Sequence, residues 1–322
     1  MDFVRQLLAV AIVVGGCAGW IEALRRLVRK QPILAYHPRQ PAPWGLIDLA
    51  LAAALLMAFR VANVFVLRHG YGIDLTQGRE HLSSHGLALV TFSEPVANLA
   101  AIAAALAVIG WRTRAGCRDL GISVRRVGQD FGLGLVTFVM LAPPVYAIQW
   151  LLVAWFPYRH PLTSLLELHP EKLVQAAVFV SAVVAAPIVE EFFYRVLWQG
   201  WLQDLGQRLD HVQQLVFGNP GSPSESPTAS LTPTGPNGAA AMGPPSRAAE
   251  ALAIVMSSTL FAAMHISQGP APIPLFVLAL GLGYVYARTG RILPCIVVHM
   301  LLNGCSLITK LVELHEMVGE SL

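Results

Sequence analysis

Long apolar runs separated by short polar stretches dominate the chain. Eight such runs stand out, at approximately 5–24, 45–67, 92–111, 131–156, 173–197, 250–268, 272–287 and 292–312. Most are close to the roughly 20 residues that an α-helix needs to cross a bilayer. The pattern predicts an all-α, polytopic membrane helix bundle of about eight transmembrane helices. One stretch breaks it. Residues 219–247 read NPGSPSESPTASLTPTGPNGAAAMGPPSR, rich in Pro, Gly, Ser and Thr and almost free of large apolar side chains. Such a segment cannot bury enough surface to offset its ordering entropy, which predicts a disordered loop. Deleting Ser222 to Pro245 is therefore expected to leave folding and activity largely intact; loss of activity at normal expression would show that the tract has a function of its own.

The charged residues set the orientation. Arg25, Arg26, Arg29, Lys30 and Arg39 follow the first run, and Arg112, Arg114, Arg118, Arg125 and Arg126 follow the third. Arg208 and Arg247 follow the fifth, and Arg288 and Arg291 the seventh. The opposite side has only Arg5, Arg68, Arg79, Arg159, Lys172 and Lys310. The positive-inside rule makes the richer side cytoplasmic. The 219–247 loop is then cytoplasmic, both termini are non-cytoplasmic, and the expected location is the cell (inner) membrane, with the lipid bilayer itself as a partner.

Composition agrees. The chain is 55% hydrophobic and only 13% charged, against about 25% charged in soluble domains. A net charge of +3 gives no reason to expect nucleic acid. The four cysteines, Cys17, Cys117, Cys295 and Cys305, are scattered and suggest neither a disulfide framework nor a thiolate metal site. Val14-Gly15-Gly16-Cys17 faintly resembles a lipoprotein cleavage site, but cutting there would put the Arg25–Lys30 cluster outside, so an uncleaved first helix is expected.

Ionisable groups inside apolar runs are expensive and usually mark a pathway or a site. Three clusters qualify. In Pro187-Ile188-Val189-Glu190-Glu191-Phe192-Phe193-Tyr194-Arg195 two carboxylates follow a long apolar run. Glu191 and Arg195 are four apart and share a helix face, so they can pair. Glu190 points about 100° away and lacks a cation at helical spacing, which suits a general base or acid. In Phe261-Ala262-Ala263-Met264-His265 a single imidazole closes an apolar helix. In the last run His299 and Asn303 are four apart and can hold an oxyanion together. Each cluster also has a plain structural reading as an interhelical hydrogen bond. Arg60, Asn63, Glu94 and Asn98 are expected to snorkel, cap or pair between helices.

In order and spacing these clusters resemble the EExxxR, FxxxH and HxxxN motifs of the CAAX-protease and bacteriocin-processing (CPBP, Abi) family. The resemblance covers 120–312 as a protease core, interrupted by the 219–247 loop; residues 1–119 are N-terminal membrane helices outside it. Val196 stands where the family often has glycine after the motif arginine. The resemblance implies an intramembrane endopeptidase of the type II CAAX prenyl protease kind, acting on a membrane-associated peptide or protein, with a prenylated CAAX-type substrate among the options. Glu190 and His265 would activate water, His299 and Asn303 would hold the oxyanion, and Glu191 and Arg195 would brace the site. No cofactor is firmly implied; if a divalent metal such as Zn2+ takes part, Glu190, His265 and His299 are its ligands.

Other readings remain at this level. A transporter uses intramembrane Glu, His and Arg as an ion pathway, and a non-catalytic immunity or scaffold protein could carry the same residues. Geometry also raises a difficulty. If the fifth helix ends near Leu197, Glu190 and His265 lie towards opposite membrane faces, offset by roughly 10 Å at 1.5 Å per residue. That helix must continue past Leu197, or Pro187 must kink it, for the groups to meet.

Overall fold

A computed structural model describes residues 2–38, 41–78, 81–156, 161–217 and 246–319. Regular structure over these residues is helical throughout. The helices are α1 (Asp2–Val28), α2 (Leu46–Tyr71), α3 (Ser84–Thr113), α4 (Val127–Trp155), α5 (Pro161–Leu168), α6 (Lys172–Phe179), α7 (Ala186–Glu191), α8 (Gly200–Phe217), α9 (Arg247–Ala263), α10 (Pro272–Thr289) and α11 (Ile292–Gly319). Two π-helical segments, Val180–Ala185 and Phe192–Gln199, join α6 to α7 and α7 to α8. The chain is therefore continuously helical from Lys172 to Phe217.

Among the described residues, seven helical stretches are long and apolar enough to cross a membrane. The eighth expected run is α9, with 17 residues, and about eight spans is the architecture the bundle carries. Element ends follow local chemistry. The third helix begins at Ser84 rather than near 92, because the Ser83 hydroxyl accepts from the Gly86 N–H and caps it. The helix expected over 250–268 stops at Ala263, and residues 264–271 form turns through Gly269, which adopts φ +61°. The helix expected to end at Leu197 runs on to Phe217, which removes the depth mismatch. The Pro/Ser/Thr-rich tract lies, over 218–245, outside the described residues.

At the heart of the bundle α4 packs against α1, α10 and α11. Gly15, Gly16 and Gly19 on α1 make that approach possible: a Cβ on Gly16 would stand 2.6 Å from the Val139 carbonyl oxygen, and one on Gly19 2.7 Å from Met140. The glycines beside Cys17 thus have a packing cause, the small-residue contact common between membrane helices. Outward faces of α1 and α2 expose Leu7, Leu8, Val13, Val61 and Phe65, as lipid-facing helices do.

Several basic residues are tied to acidic ones at helix ends on the basic side. Arg112 grips Asp48 through two hydrogen bonds of 2.8 and 3.2 Å. Arg291 meets Asp130 at 2.6 Å, Arg288 meets Glu250 at 3.3 Å, and Arg208 meets Asp204 at 2.8 Å. The first three links fasten α2 to α3, α4 to the connection between α10 and α11, and α9 to α10, while the last lies within α8. Within the spans, Arg60 donates to Asn98 at 3.0 Å and stands 4.0 Å from Glu94, the interhelical pairing expected for that group.

Candidate active site

Four stretches supply the site: α7, the turn after α9, α11 and the π-helical segments beside α7. Glu190 and Glu191 close α7. Being neighbours on one helix, they point in different directions, and their surroundings differ accordingly. The Glu191 side chain is 0% exposed and the Glu190 side chain 24% exposed.

Glu191 sits in a closed polar cluster. Its Oε2 accepts from Arg195 Nε at 3.0 Å, and its Oε1 pairs with His299 Nδ1 at 2.9 Å. Arg195, itself 0% exposed, donates on to Gln199 Oε1 at 3.3 Å and to Ser257 Oγ at 3.2 Å. Gln199 donates to the Gly283 carbonyl at 2.7 Å, and Ser257 to the Tyr194 carbonyl at 2.9 Å. The Glu191–Arg195 pair is the one its spacing predicts. Gln199 repeats the same four-residue step, so its place in the cluster is also encoded in the sequence spacing. Ser257 and Gly283 come from other helices, and no local pattern marks them.

His265 lies just beyond the end of α9, and its Nδ1 is 2.8 Å from the Phe261 carbonyl. A carbonyl only accepts, so Nδ1 carries a proton, and in the neutral ring Nε2 is the nitrogen that presents a lone pair. His299 Nδ1 likewise donates to the Glu191 carboxylate. Both Nε2 atoms face the same oxygen: Glu190 Oε2 is 3.9 Å from His265 Nε2 and 3.8 Å from His299 Nε2. Phe261 is the spacer behind this arrangement. Fully buried, its ring lies 4.9 Å from the His265 ring, 5.8 Å from that of His299 and 5.1 Å from that of Tyr194, and the Arg195 guanidinium sits over it at 5.7 Å.

Asn303, one turn beyond His299 on α11, donates through Nδ2 to the Ala182 carbonyl at 2.9 Å. The structure thus gathers Glu190, Glu191, Arg195, His265 and His299 in one chain of contacts and attaches Asn303 to the helix that carries the glutamates.

Zinc fits these side chains poorly as they stand. Neighbouring ligand atoms about a tetrahedral ion, each ~2.0–2.1 Å from it, lie roughly 3.4 Å apart, less than the two Nε2–Oε2 separations. Among the described residues no three His, Cys, Asp or Glu side chains converge as a metal-binding group.

Fold and site together define a polytopic membrane protein whose bundle encloses a carboxylate–imidazole centre. A family model described as type II CAAX prenyl endopeptidase Rce1-like matches residues 237–305, a stretch that holds His265, His299 and Asn303. The chain is similar to that CAAX-type protease family there, as its motifs indicate, while the glutamate motif lies ahead of the matched residues. No curated protein and no solved structure matches the chain.

Proposed function

We propose that this protein is an intramembrane endopeptidase that hydrolyses a peptide bond of a membrane-associated substrate with water activated by Glu190. The observation that carries the reading is the convergence of two imidazole Nε2 atoms on one carboxylate oxygen. Separations of 3.8 and 3.9 Å are too long for direct hydrogen bonds, and short enough for one water oxygen at ~2.8 Å to touch both partners.

In this mechanism Glu190 takes a proton from the water while His265 accepts its second hydrogen bond and orients it. The water oxygen bonds to the peptide carbonyl carbon. His299, as an imidazolium, keeps Nδ1–H on Glu191 and turns Nε2–H to the developing oxyanion. Charge balance favours that state: Glu190 and Glu191 oppose Arg195, and a protonated His299 makes the buried group neutral, which a low-dielectric interior requires. Collapse breaks the C–N bond, and Glu190 returns its proton to the leaving amine. Glu191 and Arg195 brace the centre. The oxyanion is assigned to His299, and Asn303, one of whose two amide N–H groups bonds the Ala182 carbonyl, is treated as a helix attachment. The substrate class is a membrane-anchored, CAAX-type peptide, the host bilayer is the cell membrane, and both termini face away from the cytoplasm.

The test uses the full chain in liposomes with a panel of membrane-anchored peptides, with and without a chelator. Cleavage is expected, and the chelator should leave its rate unchanged. Loss of cleavage restored by added zinc would move Glu190, His265 and His299 to metal ligation. No cleavage of any peptide, with ion flux across the same liposomes, would replace the protease reading with a transporter.

A further inference from the structure

We infer that Asn303 is a positioning residue: its side-chain amide supplies the hydrogen bond that Pro187 cannot, and so holds α7 in the register that presents the glutamates. At the end of the π-helical segment before α7 the backbone bonds span five residues, as the Ala186 N–H shows by bonding the Ser181 carbonyl. Next in that series is Pro187, whose partner would be the Ala182 carbonyl. Proline has no N–H, so that carbonyl is orphaned within a membrane span, where unsatisfied backbone groups are costly. The Asn303 Nδ2 fills the vacancy at 2.9 Å. A carbonyl acceptor leaves no doubt which end of the amide faces it.

The consequence reaches the chemistry because α11 grips the site helix twice. Asn303 bonds it at Ala182, ahead of Pro187, and His299 bonds it at Glu191, beyond Pro187. Two attachments one turn apart on α11 fix both the rotation and the height of α7 against the His299 ring. With the Ala182 bond gone, α11 keeps only the His299 hydrogen bond to this helix, and the stretch around Pro187 loses the attachment that sets how Glu190 faces the imidazoles.

The test is a double-mutant cycle on the full-length protein: Asn303→Ala, Pro187→Ala and the pair, each purified in detergent and reconstituted. Pro187→Ala gives position 187 an N–H of its own. Alone, Asn303→Ala is expected to lower the melting temperature by about 2–4 °C and kcat per folded molecule by about 10²-fold, as misplaced catalytic groups do, with KM little changed. In the Pro187→Ala background the same substitution should cost far less in both readouts. Asn303→Asp, close in shape and without an N–H to give when ionised, should track Asn303→Ala and serves if the alanine variant folds poorly. Equal losses in both backgrounds would overturn the inference, because a residue that acts on the substrate does not depend on the donor at 187. An unchanged kcat per folded molecule, with only stability lost, would overturn it too. The inference rests on the protease reading only for its kinetic arm; were no variant to cleave, the melting temperatures would still decide whether Asn303 and Pro187 are coupled.

Discussion

Glu190→Gln is expected to leave the bundle folded and to remove nearly all turnover. The amide fills the same volume, and the carboxylate it replaces makes no short contact: its nearest imidazole nitrogens are 3.8 and 3.9 Å away. Little stability is therefore at stake. What is lost is the one group of the cluster that is both partly open, at 24% exposure, and placed opposite two imidazole nitrogens. General bases contribute about 10²–10⁴ in rate, and a water that loses its acceptor also loses its orientation. Cleavage per folded molecule, measured beside thermal melting, reads both effects. An active Glu190→Gln protein would reverse the division of labour between the two glutamates.

Glu191→Gln should fail in the opposite way. The fully buried carboxylate is held by Arg195 on one oxygen and His299 on the other. Removing its charge strands a guanidinium with no water to turn to, and breaking a buried pair at one end typically costs about 3–5 kcal/mol. The dominant symptoms should be lower expression and a depressed melting temperature. Partial activity should survive in the folded fraction, because Glu190 and His265 are untouched. A stable but inactive Glu191→Gln protein would show that Glu191 takes part in proton transfer.

The geometry behind these two predictions was partly legible in the sequence. Apolar run length gave the spans because a bilayer imposes a length, and helical spacing gave Glu191–Arg195 because four residues bring side chains onto one face whatever the tertiary structure. His299 on Glu191 was not legible, since it joins residues 108 apart in sequence through the packing of two helices. Ser257 and Gly283 belong to the same category. Pro187 announced a disturbance without its form: proline forbids one hydrogen bond, but whether the helix kinks or widens into a π turn depends on who satisfies the freed carbonyl. The run over 250–268 hid the end of α9, because Met264 and Ile266 continue the apolar pattern through a turn.

That turn gives the site an asymmetry of stiffness. Glu190 and Glu191 are successive residues of one helix, so peptide geometry fixes their separation and no breathing of the bundle alters it. His299 stands in mid-helix and is anchored to that pair by a hydrogen bond. His265 is different: its backbone sits in the link between α9 and α10, and its ring is steadied by a carbonyl of its own helix and by Phe261. His265 is the one group of the four held by no hydrogen bond to the helix that carries the glutamates, whereas α9 itself stays tied to that helix through Ser257 and Arg195. The centre thus joins three groups fixed by helix geometry and a buried hydrogen bond to a fourth whose place depends on a turn and on the packing of one aromatic ring.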